Sequence, residues 1–191
     1  EPTLLIKKCL LYELICDKIL RRGEIMKRVL LYLKSLLKEH DCIIMATSGG
    51  PDSMCLLHLL CELKEELSLK LIVAHVNHKL RKESEEEALF VKETAKKNNL
   101  IYEYMEISKY NDDNLENDAR IKRYKFFTDL AKKYQASYLM TAHHGDDLME
   151  TILMRLTRGS NLKGYSGFKK EFRFDNYMIV RPLITETKQD I

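Results

Sequence analysis

The hexapeptide Ser48-Gly49-Gly50-Pro51-Asp52-Ser53 is where residue type and spacing point most directly to chemistry. Two adjacent glycines let the backbone turn tightly and bring its N–H groups close to an anion, and a helix starting just beyond them adds the positive end of its dipole. Ser48 and Ser53 contribute hydroxyl donors, and the carboxylate of Asp52 could hold a magnesium ion that bridges phosphate oxygens. The segment is therefore a candidate phosphate cradle. The plainer alternative is an ordinary strand-to-helix turn. Neither Gly-Lys-Ser/Thr nor G-x-G-x-x-G is present here, which disfavours γ-phosphoryl transfer and a nicotinamide cofactor.

A cradle of this kind needs a buried strand to deliver the chain and a helix to carry it away. Residues 42–47 are a short apolar run that predicts the strand, and 52–66 carries Met54, Leu56, Leu57, Leu60 and Leu63 at helical spacing. The pattern recurs, with strands predicted over 71–76, 101–107, 138–142 and 177–180 and helices over 83–98, 115–134 and 146–156. Such alternation predicts an α/β fold, a Rossmann-like parallel sheet of about five strands with helices on both faces. Ligands bind such sheets at the carboxyl ends of the strands, where the connection reverses. His75, His78, His143 and His144 lie at strand ends, on the same sheet edge as the glycine loop. They could instead be satisfied core histidines, and a zinc site built from them lacks a cysteine or an H-E-x-x-H frame.

At 191 residues the chain suits one domain, and 45% hydrophobic with 32% charged residues excludes a disordered or fibrous chain. Lys7, Lys8, Glu13, Asp17 and Lys18 interrupt the apolar residues of 4–20 too often for a membrane span, and no signal-peptide cleavage site follows. Five cysteines without a C-x-x-C pair suggest a reducing, cytoplasmic compartment. A net charge of +3 permits an RNA partner without identifying one. Residues 1–25 are expected to be an N-terminal extension and 26–191 the catalytic domain, cut short before further C-terminal domains.

The hexapeptide resembles the S-G-G-x-D-S loop of the PP-loop ATP pyrophosphatases. Three further stretches resemble the tRNA(Ile)-lysidine synthetase branch of that family: Ala74-His75-Val76-Asn77-His78-Lys79-Leu80-Arg81, Ala119-Arg120-Ile121-Lys122-Arg123-Tyr124, and Ala142-His143-His144-Gly145-Asp146-Asp147-Leu148-Met149-Glu150-Thr151. Thr157-Arg158-Gly159-Ser160 and Arg181-Pro182-Leu183 complete the resemblance. Lys79 stands where the family often has glycine, and Leu148 where it often has glutamine.

The resemblance implies adenylation by ATP of the carbon-2 oxygen of the wobble cytidine in tRNA(Ile) with a CAU anticodon, after which free lysine displaces AMP. Ser48, Gly49, Gly50, Pro51, Asp52, Ser53 and His75 would then bind ATP, with Mg2+ on Asp52. Asp52, Arg120, Asp147 and Glu150 would be catalytic. The fixed charges of Arg120 and Arg123 suit a phosphate gathering negative charge, and Asp147 and Glu150, three apart on one helix face, suit the ammonium end of lysine. Arg81, Arg123, Arg155 and Arg158 would contact the tRNA backbone, along a basic surface that includes Lys79, Lys169 and Lys170. No membrane partner is expected, and a homodimer is among the candidate assemblies. Each assignment has a structural alternative: Asp146 and Asp147 are good helix N-caps, and arginines on a mixed-charge helix can simply be solvated. Rival activities are tRNA thiolation, for which paired cysteines are missing, an amidotransferase-linked ligase, and a non-catalytic nucleotide sensor.

Overall fold

The computed structural model describes residues 23–79, 83–107, 115–157, 168–189 and 191. Helix α1 (Glu24–Leu36) leads into strand β1 (Cys42–Ala46), the glycine loop and helix α2 (Pro51–Glu66). Then come β2 (Lys70–Asn77), α3 (Ser84–Lys97), β3 (Ile101–Glu106), α4 (Leu115–Tyr134), β4 (Tyr138–Thr141), α5 (Gly145–Thr157), β5 (Glu171–Phe174) and β6 (Tyr177–Val180). Helix starts and stops have local causes. Pro51 occupies the first turn of α2, where its missing N–H costs nothing. In α3, Glu85, Glu86 and Glu87 sit at the positive end of the helix dipole, and Lys96 and Lys97 at the negative end.

The sheet has strand order β3-β2-β1-β4-β6-β5. The first five strands in that order are mutually parallel, and β5 pairs antiparallel with β6 at the edge. The expected α/β sheet is thus present, with a sixth strand that the apolar pattern did not reveal. Glu-Phe-Arg-Phe of β5 is only partly buried, so no continuous apolar run marks it. Its register is set by the tight turn to β6, in which Asp175 takes φ of +51°.

Strand alternation sorts the core into two layers. Ile43, Met45, Leu71, Val73 and Met140 face α1, α2 and α3, packing on Met26, Leu33, Leu56, Leu60 and Val91. Cys42, Ile44, Ile72, Leu139 and Ile179 face α4, packing on Phe127, Leu130 and Ala131. Helix α5 buries none of its residues, and Met149, Leu153, Met154 and Leu156 are exposed. From β1 the chain moves outward to β2 and β3, then crosses back to β4 on the other side. The carboxyl ends of β1 and β4 therefore flank the point where the winding reverses, which is where open parallel sheets bind ligands.

Candidate active site

The glycine loop is shaped by its own hydroxyls and by what lies beneath it. Ser48 Oγ accepts from the Gly50 N–H at 3.3 Å and lies 3.2 Å from Ser53 Oγ, which donates to the Gly50 carbonyl at 2.9 Å. Gly49 adopts φ of +88°, and a Cβ there would stand 3.3 Å from Val91 Cγ2 and 3.5 Å from the Glu87 carbonyl oxygen. The loop thus rests on α3. Gly50 has ordinary extended backbone, and a Cβ on it would meet only Ser48 Oγ, at 3.4 Å.

His75 supports the loop from below. Its ring lies 2.8 Å from the Thr47 carbonyl through Nδ1, which must carry the proton because a carbonyl only accepts. Nε2 is then a buried lone pair without a partner. Burial lowers the pKa of this imidazole, so it is neutral at physiological pH. Its neighbours Ala74 and Val76 line the cleft beside the loop, whereas His75 projects to the other side of β2 and is not in the lining.

That cleft, about 260 Å³, opens at the switch point between β1 and β4. Ala46, Ala74, Val76 and Phe127 give it an apolar floor, and the small alanines leave room for a flat ring. Ser48, Asp52 and Ser53 supply one rim, Arg123 and Tyr124 of α4 a second, and Thr141, His143 and Asp147 a third. His143 is pinned by Thr141, Nδ1 to Oγ1 at 2.8 Å. Burial first, and the Arg181 guanidinium second, push its pKa down to about 4.

The start of α5 is held against the C-terminal segment. The Gly145 N–H donates to the Glu186 carbonyl at 2.8 Å, and a Cβ at Gly145 would stand only 3.0 Å from that oxygen. Asp147 accepts from the His144 N–H, the return bond of a capping box, whereas Asp146 accepts from the Lys188 N–H of the C-terminal segment and caps no donor of its own helix. Asp147 lines the cleft as well. Buried His144 lies between the two rims, its Nε2 3.6 Å from carboxylate oxygens of both Asp52 and Asp147.

Of the residues singled out in the sequence, Ser48, Asp52, Ser53, His78, Arg123, His143 and Asp147 meet in one lining. Arg120 is exposed and outside it, with its guanidinium 5.8 Å from the Tyr124 ring. Glu150 is exposed one turn further along α5 and also outside it. Arg155 lies in the last turn of α5, and Arg81 and Arg158 fall outside the described residues. Lys79 is engaged with Glu85 and Glu106. Its φ of +51° is a conformation that glycine adopts without strain. Tyr124, Phe127 and Thr141 join the lining without standing among the residues that the sequence marks for chemistry. The signal for Tyr124 was its place directly after Arg123, and for Thr141 its place at a strand end. Among the described residues no group of three His, Cys, Asp or Glu side chains could hold a metal, so the histidines form no zinc site there.

Residues 23–191 match the family model of the PP-loop domain. The chain belongs to the PP-loop family. It is 40% identical over 170 residues to a tRNA(Ile)-lysidine synthase of Geobacillus kaustophilus, covering 86% of this chain and 37% of that protein. It is 43% identical over 162 residues to one of Bacillus cereus (82% and 34%), and 43% identical over 159 residues to one of Streptococcus pyogenes (83% and 36%). The chain thus spans about a third of the length of these curated relatives. In structure it is similar to the U34-tRNA thiolase NcsA of Methanococcus maripaludis, with a TM-score of 0.68 at 18% identity over 87% of this chain and 60% of that one. That likeness is one of fold alone. No helix among the described residues of this PP-loop domain is long and apolar enough to cross a membrane.

Proposed function

We propose that this PP-loop domain is the ATP-binding, catalytic part of a tRNA(Ile)-lysidine synthase. In this reading ATP adenylates the carbon-2 oxygen of the wobble cytidine of tRNA(Ile) with a CAU anticodon, releasing pyrophosphate, and the amine of free lysine then displaces AMP. The observation that carries it is one cleft in which the loop hydroxyls, a guanidinium and an acidic helix start face each other. Resemblance to lysidine synthases over more than four-fifths of the chain supplies the substrate class.

Within the cleft the roles follow from chemistry. The Ser48 and Ser53 hydroxyls and the backbone of Gly49 and Gly50 would cradle the β and γ phosphates. The apolar floor of Ala46, Ala74, Val76 and Phe127 suits the adenine ring. Arg123, preset by packing, would stabilise charge gathering on the α-phosphate, with Arg120 able to join it when RNA is bound. Asp147 would take the lysine ammonium, and Glu150 would be its partner at the mouth of the cleft. Mg2+ fits this donor set, because such ions commonly take one or two carboxylates and complete their shell from substrate phosphates and water. Asp52, one quarter exposed at the rim, would hold it, and its chemistry would be charge neutralisation on the phosphates. RNA would approach over Arg81, Arg155 and Arg158. The described lining contains no cysteine, which gives thiolation no foothold there.

The test is to incubate the full-length protein with labelled ATP, lysine and tRNA(Ile), and to assay AMP and a lysine-bearing nucleoside. Both should appear, and Asp52→Ala should abolish magnesium-dependent turnover. ATP consumption that ignores lysine and tRNA alike would overturn the proposal.

A further inference from the structure

Arg181 opens the Arg-Pro-Leu stretch, to which the reading above gives no task. It is 4% exposed. Nη1 donates to the Lys169 carbonyl at 2.6 Å, and Nε has no hydrogen-bond partner. The guanidinium lies 4.9 Å from the Phe168 ring centroid and 5.4 Å from that of Phe172. No carboxylate among the described residues pairs with it. A buried cation held only by a carbonyl and aromatic faces is left with an uncompensated charge, and that is costly unless an anion comes near it.

What stands in front of Arg181 indicates where that anion would be. The Tyr124 phenol acts electrostatically on the guanidinium from the cleft side. Arg120 and Arg123 approach the same ring, at 5.8 and 5.9 Å from its centroid. On its other side Phe168 meets the edge of the His143 ring, centroids 5.2 Å apart. Tyr124 and His143 both line the cleft, so Arg181 sits directly behind two of its walls.

We propose that Arg181 is a positioning residue that fixes Tyr124 and His143 from behind and supplies permanent positive charge for a phosphate-bearing substrate in the cleft. The identity of the reaction rests on the adenylation reading above; the electrostatic role does not. The planar, always-charged guanidinium is suited to lie over phenyl rings such as Phe168 and Phe172, and an ammonium would keep the charge but lose the stacking. The same charge helps to keep the His143 imidazole neutral. The other groups facing that ring are Arg123 and His144, which act in the same direction, and Asp147, which opposes them.

The experiment compares wild-type full-length protein with R181K, R181M and Y124F. Melting temperature, kcat and KM for ATP in AMP release, and the His143 titration followed by NMR, assigned with H143N, are measured for each. R181M should lose about tenfold or more in kcat with KM for ATP within about threefold, since removing a preorganised donor acts on the transition state. R181K should recover part of that loss. The His143 midpoint should rise towards the ordinary imidazole value in R181M and stay low in R181K. A folded R181M with wild-type kcat and an unmoved His143 midpoint overturns the proposal. Should R181M not fold, Y124F decides: wild-type kcat in that variant overturns the proposal, and a loss in kcat at constant KM supports it. Should the wild type release no AMP with tRNA and lysine, the adenylation reading alone falls. The His143 midpoint in R181M against R181K then decides the electrostatic role.

Discussion

Gly49 and Gly50 are adjacent, yet replacing each by alanine should have opposite consequences. Gly49 holds φ of +88°, and alanine in a left-handed conformation costs roughly 1–2 kcal/mol. Its new Cβ would also press on Val91 Cγ2 at 3.3 Å, close enough that α3 must give by a few tenths of an ångström. The cost should show as a fall of about 2–8 °C in melting temperature for a domain of this size. Gly50 has φ of −77° and ψ of 163°, open to any residue, and its Cβ would touch only Ser48 Oγ at 3.4 Å. Gly50→Ala should leave stability within about 0.5 kcal/mol, as substitutions away from packed or strained sites do. Its added methyl would occupy the space that a phosphate needs to reach the backbone N–H groups, so ATP affinity should drop about tenfold or more. Urea denaturation and equilibrium binding of ATP, run on both variants, separate the two effects. Equal stability of Gly49→Ala and Gly50→Ala would refute the conformational argument, and unimpaired ATP binding by Gly50→Ala would refute the cradle.

Gly145→Ala should cost about 1–3 kcal/mol in urea denaturation, because its Cβ would stand 3.0 Å from the Glu186 carbonyl oxygen and a backbone atom cannot swing aside. The pKa of His143, about 4 in the folded chain against 6.5 in an exposed imidazole, makes the unfolded state bind a proton first as pH falls. Its contribution to stability is therefore full above about pH 7 and is lost progressively from about 6.5 down to about 4. At pH 5.5 that loss is about 1.4 kcal/mol, so His143→Gln should show correspondingly less weakening between pH 7.5 and 5.5, and identical pH dependence in both proteins would count against the assignment. His75 and His78, whose pKa values burial also lowers, keep the remaining slope in either protein. Lys79→Gly should move the melting temperature by no more than about 3 °C, since relief at φ of +51° offsets two exposed ion pairs. A large loss would mean that those pairs with Glu85 and Glu106 anchor the turn.

Much of the fold was legible because each interior strand announces itself locally. Ile43, Ile44 and Met45 are all fully buried, and a strand covered on both faces must be apolar at successive positions. The edge strand Glu171–Phe174 gave no such signal, since its residues are at most half-buried and its pairing depends on β6. The resemblance implies a nucleotide role for His75, whereas strand alternation puts Ala74 and Val76 on the cleft face and His75 on the other. Arg120 and Arg123 were indistinguishable as residue types on one helix. Both share the helix face of Phe127, Arg123 one turn and Arg120 two turns before it, so position along the helix axis separates the one that lines the cleft from the one that does not.

The sequence by itself determined the chemical kinds present and the conformations that depend on near neighbours: two glycines after an apolar strand, a proline opening a helix, acidic residues at a helix start. Tertiary structure alone decided which of these side chains share one cavity, that β1 and β4 are neighbours, and that Arg181, far along the chain, stands behind Tyr124 and His143. The physical reason is that the rotation of a helix about its axis and the order of strands in a sheet are set by packing between distant segments, which no local pattern encodes.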